Sequence, residues 1–195
     1  AIAMNVGVGL RGVGSEAIRI SDVTSGAFDV TVAPLVRLWG FGARPSDRPP
    51  TEAEIQEAIG RTGFHKIQLD IEGGTLRKVD PRVTCDLSAI AKGYAVDQVA
   101  EALEGTGVSR YMVELGGEVR AHGQRPGGGP WRIGVETPDG GVQDVQTVVG
   151  LQDMAMATSG DYRSFVINEG ERISHTIDPR TGRPVKHGLA SVSVI

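Results

Sequence analysis

In Asp86-Leu87-Ser88-Ala89-Ile90-Ala91-Lys92-Gly93-Tyr94, a carboxylate, a hydroxyl and an ammonium stand around the start of one helix. Ser88 has the chemistry of an N-cap, because its hydroxyl can accept from a free backbone N–H of the first turn. Those free N–H groups and the helix dipole make such a turn a seat for phosphate. Lys92 follows Ser88 by four residues and so lies one turn along the same face. Asp86, just outside the helix, can accept from a base or ribose, or orient Lys92. A plain capped helix with a solvated lysine explains Ser88 as well, but it makes no demand for Asp86.

A second candidate lies near the C-terminus. Asp178-Pro179-Arg180-Thr181-Gly182 is a turn by mechanism: Asp accepts backbone bonds, Pro fixes the next φ and Gly supplies a left-handed residue. His175 precedes it on an expected strand. An imidazole can take a proton from a hydroxyl, whereas a structural strand histidine is the alternative. Gly116-Gly117 separates two expected strands. It is either a tight hairpin or a place where a ligand or backbone comes close. Gly7-Val8-Gly9-Leu10-Arg11-Gly12 fits G-x-G-x-x-G behind the short apolar run Ile2–Val6. Gly14 then falls where the crossover helix should be, and the expected acidic partner is ambiguous. The segment reads as a loop leading into a helix over Ser15–Val23. Cys85 is the only cysteine, so there is no intrachain disulfide. At the end of an expected strand, Val83–Cys85, it reads as a small buried residue rather than a nucleophile.

The elements that must position these groups can be read from caps and periodicity. Thr51-x-x-Glu54 is a capping box, followed by the stripe Ile55, Ala58 and Ile59. A Pro-rich loop, Arg44–Pro50, comes before it. Ile67–Ile71 alternates with period two, and Gly73-Gly74 turns the chain back into Leu76–Val79 as a hairpin. The helix after Asp86 should run to about Glu104, with Ile90, Val96, Val99 and Leu103 inward and Gly105 or Gly107 ending it. Strands are expected over Arg110–Glu114, Glu118–His122, Trp131–Glu136, Gln146–Leu151, Ala155–Ser159, Ser164–Ile167, Arg172–Ile177 and Leu189–Ile195. Few helices and many antiparallel-looking strands point to an α+β fold.

At 195 residues the chain can bury a proper core and is expected to form a single domain over 1–195. Its 39% hydrophobic and 23% charged residues are ordinary for a globular protein, and a net charge of −4 argues against a nucleic-acid binder. No apolar run reaches transmembrane length. The sequence shows no signal peptide and opens on Ala rather than Met, so it is expected to begin inside a longer protein.

Four segments in order carry a resemblance. They are Gly26-Ala27-Phe28-Asp29-Val30-Thr31-Val32-Ala33-Pro34-Leu35 with Leu38-Trp39-Gly40-Phe41-Gly42; the Asp86–Tyr94 segment; Val113-Glu114-Leu115-Gly116-Gly117-Glu118; and Ala157-Thr158-Ser159-Gly160-Asp161-Tyr162-Arg163 with Ser174–Pro184. From about Ser21 to Ile195 the chain resembles the ApbE family of FAD:protein FMN transferases. The resemblance implies an α+β, T-fold-like arrangement of mixed and antiparallel sheets with a few packed helices. It implies a helix before Gly26, of which Glu16–Val23 matches the end.

The implied activity is Mg²⁺-dependent transfer of FMN from FAD to a Thr or Ser hydroxyl of a target flavoprotein, with release of AMP. The implied target motif is Gly-Ala-Ser/Thr, and the implied location is the periplasmic side of the bacterial envelope. Carried over by motif, Ala27, Phe28, Asp29, Asp86, Lys92 and Ile177 contact FAD, the Ala89 carbonyl meets the metal, and His175 is the base. Family members continue past a strand like Leu189–Ile195 into a segment whose Asp and Thr, four residues apart, ligate the metal. They also carry an N-terminal part that contacts flavin. This sequence holds neither, so the 195-residue piece is expected to lack activity alone although its parent is an enzyme. An FAD pyrophosphatase and a non-catalytic flavin-binding module remain as alternatives. Asp22–Ala27 resembles the acceptor motif, but Phe28 stands at the hydroxyl position, which excludes self-flavinylation there.

Overall fold

The computed structural model describes residues 3–41, 48–138, 144–160, 165–168 and 171–195. In chain order its elements begin β1 (Ala3–Asn5), α1 (Val8–Val23), α2 (Ala33–Leu38), α3 (Glu52–Gly60), β2 (Ile67–Asp70), β3 (Thr75–Lys78) and α4 (Ser88–Gly105). They continue β4 (Tyr111–Leu115), β5 (Glu118–His122), β6 (Trp131–Glu136), β7 (Val145–Leu151), β8 (Met154–Gly160), β9 (Phe165–Asn168), β10 (Glu171–Ser174), β11 (Ile177–Asp178), β12 (Arg183–Pro184) and β13 (Ser191–Val194). The fold is α+β, and the chain divides into two compact units, 1–89 with 164–187 and 90–163 with 188–195.

In the first unit, β1, β3 and β2 form an antiparallel sheet in that order. The Gly7–Gly12 segment is not a loop but the first turns of α1, which starts seven residues before the expected Ser15. Each helical glycine costs roughly 0.5–1 kcal/mol against alanine, so local propensity opposes this helix. Packing overrides it: Val13, Ala17 and Ser21, spaced by four, are buried, and Arg11 donates to the Ile71 carbonyl at 3.1 Å. Because β1 pairs antiparallel with β3, the parallel βαβ unit that a dinucleotide fingerprint requires is not formed.

The capping box of α3 forms as expected. Thr51 N–H donates to Glu54 Oε2 at 2.8 Å, and Glu54 N–H donates to Thr51 Oγ1 at 3.4 Å. Buried Ile55 and Ala58 form its inner face. Helix α2, which has Pro34 in its first turn, was not expected from periodicity because six residues are too few to show one. Leu35, Ala58 and Ile177 make a small core with Trp39, Phe41 and Ile59 packed against it. Fully burying a side chain such as Leu35 contributes roughly 1.5–3 kcal/mol.

In the second unit, β13, β8, β5 and β4 form an antiparallel sheet in that order. Val119 and Ala121 of β5 join Leu151 and Met156 in a core against which Trp131, Ile133, Val135 and Val149 of the β6–β7 hairpin pack. Arg120, between them, points to the other face as strand alternation requires. There it pairs with Asp97 and Glu104 of α4. The α4 stripe is narrower than expected: Val96 and Ala100 are buried, while Val99 is about half exposed. Helix α4 ends at Gly105, and two residues on Gly107, with φ of 85°, turns the chain so that Val108 N–H reaches the Leu103 carbonyl at 3.1 Å. The expected Arg172–Ile177 strand is split into β10 and β11 by a bend at His175.

Candidate functional site

Helix α1 closes with a tight turn that launches the Ala27–Asp29 segment. Ser25 and Gly26 take φ of 50° and 77°, and Gly26 N–H reaches the Ser21 carbonyl at 2.8 Å. The Thr24 hydroxyl then accepts Phe28 N–H at 3.1 Å. Ala27 is exposed, Phe28 half-buried and Asp29 buried. Asp29 is turned inward: Oδ1 accepts the Thr31 N–H and hydroxyl at 2.7 and 2.6 Å, and Oδ2 accepts Phe64 N–H at 2.8 Å. Its carboxylate is therefore committed to the fold.

Asp86 lies beside this segment. Its N–H donates to the Val30 carbonyl at 2.6 Å, so two of the expected nucleotide-contacting segments are joined by a direct backbone bond. The capping roles are reversed from expectation. Ser88 is already the first helical residue, and Asp86 Oδ1 accepts both the Ser88 N–H, at 2.9 Å, and its hydroxyl. A carboxylate is the stronger acceptor, so it takes the free N–H of the first turn and the Ser88 hydroxyl becomes a donor. Asp86 Oδ2 has no hydrogen-bond partner among the described residues, which leaves a half-buried acceptor for a ligand.

Cys85 is exposed rather than buried. Val83–Asp86 is an irregular segment, not a strand, with Val83 fully buried. Protein packed near its sulfur raises the Cys85 thiol pKa; the Lys78 charge opposes this and Asp29 adds to it. Exposure and this direction pull apart because the residue as a whole faces solvent while its surroundings are partly desolvated. The direction argues against a thiolate nucleophile.

His175 sits at the bend after β10, half-buried, and not on a strand. The bend is held by Thr176 N–H to Ser174 Oγ at 3.1 Å and by Val185 N–H to the Thr176 carbonyl at 3.0 Å. Phe41 meets the His175 ring at 6.2 Å between centroids and 67° between planes. Ile177, two residues on, is buried in the small core with Leu35 and Ala58. The expected turn follows. Asp178 accepts Arg180 N–H at 2.9 Å and its guanidinium at 2.9 and 2.7 Å. Those bonds to Arg180 hold the Asp178 pKa below its ordinary value, against a smaller contribution from burial. Gly182 has φ of 67°, and a Cβ there would come within 2.8 Å of Ile55. Trp39 Nε1 donates to its carbonyl at 2.8 Å. The turn is thus seated against α3 and the residue that ends α2.

In the second unit, Gly116 and Gly117 are the two central residues of the β4–β5 hairpin, with φ of 58° and 99°. The hairpin reading of this pair holds. The turn is a two-residue hairpin that needs positive φ twice. What comes close to Gly116 is Lys92, whose Cδ would lie 3.2 Å from a Cβ. Lys92 Nζ donates to the Gly116 carbonyl at 2.9 Å and lies 2.6 Å from Glu118 Oε2. That buried oxygen is an ion-pair partner by distance, yet among the described residues it meets no donor in hydrogen-bond geometry. The lysine charge alone offsets it, so Lys92 is oriented by Glu118 rather than by Asp86. Glu118 had no role in the sequence reading, although its place directly after the glycine pair marks it.

Ala89 is exposed in the first turn of α4. Among the described residues no three His, Cys, Asp or Glu side chains cluster to hold a metal ion. Mg²⁺ takes six oxygen ligands in near-octahedral geometry, and one helical carbonyl does not meet that demand. These residues do not fit a magnesium site by themselves. Asp161, Tyr162 and Arg163 of the expected motif, together with Gly42 and most of the Arg44–Pro50 loop, lie outside the described residues.

The ApbE family model matches residues 3–195, reaching eighteen residues or so further toward the N-terminus than the motifs alone. The chain belongs to the ApbE family. A Haemophilus influenzae protein named FAD:protein FMN transferase is 50% identical over 187 residues, covering 93% of this chain and 54% of its own length. A solved structure of the flavin transferase ApbE from Vibrio cholerae superposes with a TM-score of 0.87 at 44% identity, covering 98% of this chain and 60% of that one. The ApbE protein of Thermotoga maritima superposes with a TM-score of 0.88 at 35% identity, covering 98% and 62%. The chain spans about half the length of the curated ApbE relatives it matches.

Proposed function

We propose that the protein transfers FMN from FAD to a Thr or Ser hydroxyl of a target flavoprotein. The observation that carries this reading is the 50% identity, over 93% of the chain, to a relative named FAD:protein FMN transferase. The geometry agrees with it. Asp86 is half-buried beside the Ala27–Phe28 loop, and its Oδ2 meets no partner among the described residues, which suits acceptance from the nucleotide. Asp29 contributes through the fold and its backbone, not its carboxylate.

In the proposed reaction the target hydroxyl oxygen attacks the phosphorus of the FMN half of FAD. A new phosphoester forms, the diphosphate P–O bond breaks, and AMP leaves. His175 takes the hydroxyl proton. Its bend and its edge contact with Phe41 favour a settled ring, which general-base work requires. Phosphoryl transfer depends mostly on positioning and charge neutralisation. The expected Mg²⁺ would supply neutralisation, and it needs ligands beyond the Ala89 carbonyl. A target motif of Gly-Ala-Ser/Thr type and a periplasmic location belong to the same proposal and rest on the family resemblance. No helix among the described residues is long and apolar enough to cross a membrane.

The test is incubation of the full-length protein with FAD and a target carrying Gly-Ala-Thr. Flavin fluorescence on the denatured target is the expected result. Free FMN with an unlabelled target would establish a pyrophosphatase instead. FAD that binds and stays intact would leave only a flavin-binding module.

A further inference from the structure

Thr31 is fully buried, and its hydroxyl is used twice. It donates to Asp29 Oδ1 at 2.6 Å and accepts Gly63 N–H at 2.6 Å. Asp29, 7% exposed, spends its other oxygen on Phe64 N–H at 2.8 Å. One hydroxyl–carboxylate pair thus clamps the turn after α3 to the loop that carries Ala27 and Phe28. Gly63 is shaped for this role: its φ is 133°, and a Cβ there would fall 2.6 Å from the His65 ring. The clamp extends one residue further, since the carbonyl of Val30, between Asp29 and Thr31, accepts the N–H of Asp86 at 2.6 Å.

We infer that Thr31 is a positioning residue for the dinucleotide site, its buried hydroxyl holding the Ala27–Val30 loop on the Gly63 turn and, through Val30, in register with Asp86. This rests on the FAD reading above. Thr31 does not reach a ligand directly, because it is fully buried and its hydroxyl bonds within the protein. Its effect on binding passes through the geometry of the loop, where supporting hydrogen bonds keep contact groups in place. Valine matches threonine in shape but leaves Gly63 N–H and Asp29 Oδ1 short of a partner in a buried setting, which relaxes the loop. Serine restores the hydroxyl.

The experiment compares full-length wild type, Thr31→Val and Thr31→Ser by FAD titration well below the melting temperature, with the melting temperature measured in parallel. Thr31→Val removes both hydrogen bonds of the hydroxyl and is expected to weaken FAD binding about tenfold, since only part of that loss reaches the ligand through the loop. Thr31→Ser is expected to retain most of the affinity even if its melting temperature falls. Equal FAD affinity in folded Thr31→Val and wild type would overturn the inference and leave Thr31 a packing residue. Failure of wild type to bind FAD would overturn the FAD reading itself, a different result. Should Thr31→Val not fold, hydrogen exchange on wild type decides: FAD must slow exchange in residues 62–65 as well as 26–31. Protection confined to 26–31 would overturn the inference.

Discussion

At the scale of single residues, spacing picked out candidate groups, but not which atom bonds to which. Asp86 and Ser88 were both legible, yet the structure exchanges their roles because a carboxylate outcompetes a hydroxyl for the same N–H. Asp29 stands in a recognisable motif, and its carboxylate accepts from Thr31 and Phe64 inside the fold. His175 is the residue whose assignment separates most cleanly by experiment. As the proposed base it would act on the target hydroxyl and not on the flavin. His175→Ala is therefore expected to lower transfer by roughly 10²–10⁴ while FAD affinity stays within a few-fold. Its half-buried place against Phe41 makes the alternative concrete. A large fall in melting temperature with matching loss of FAD binding would reduce it to a packing residue.

At the scale of elements, features set by neighbours a few residues apart form as read: the Thr51 capping box, the Gly116-Gly117 hairpin and the Gly73-Gly74 hairpin that joins β2 to β3. The box also carries a pH dependence. Bonds from Arg48, and then from the Thr51 N–H and hydroxyl, hold the Glu54 carboxyl down to about 2. Its folded pKa lies below the ordinary 4.5. The stabilisation is thus complete above that value and is lost as pH falls toward 2. Thr51→Ala is expected to cost about 1 kcal/mol at neutral pH. It should also flatten the acid-side fall in melting temperature, because one source of the depression is gone. An unchanged neutral melting temperature would show that the box contributes nothing. Helix α1 is the opposite case. Its glycines argue for a loop, and only the buried Val13, Ala17 and Ser21 show why it is helical.

At the scale of the molecule, antiparallel pairing of β1 with β3 removes the one sequence pattern that favoured a nicotinamide dinucleotide. The paired Ala27–Phe28 and Asp86 segments are expected to serve a whole FAD molecule. Calorimetric titration of the full-length protein should accordingly give tighter binding for FAD than for FMN or NAD. Equal affinity for NAD would contradict that reading.

The sequence by itself determined the α+β class, the family and most strand positions. Those rest on periodicity, caps and ordered motifs that local chemistry makes visible. Tertiary structure decided the burial of the Asp29 carboxylate, the Glu118 partner of Lys92, the exposure of Cys85 and the full length of α1. Each depends on a neighbour from a distant stretch of chain or on which way an irregular segment faces. Asp29 meets Phe64 thirty-five residues away and Lys92 meets Gly116 twenty-four away. No rule of spacing along the chain encodes a contact that exists only after the chain has folded back on itself.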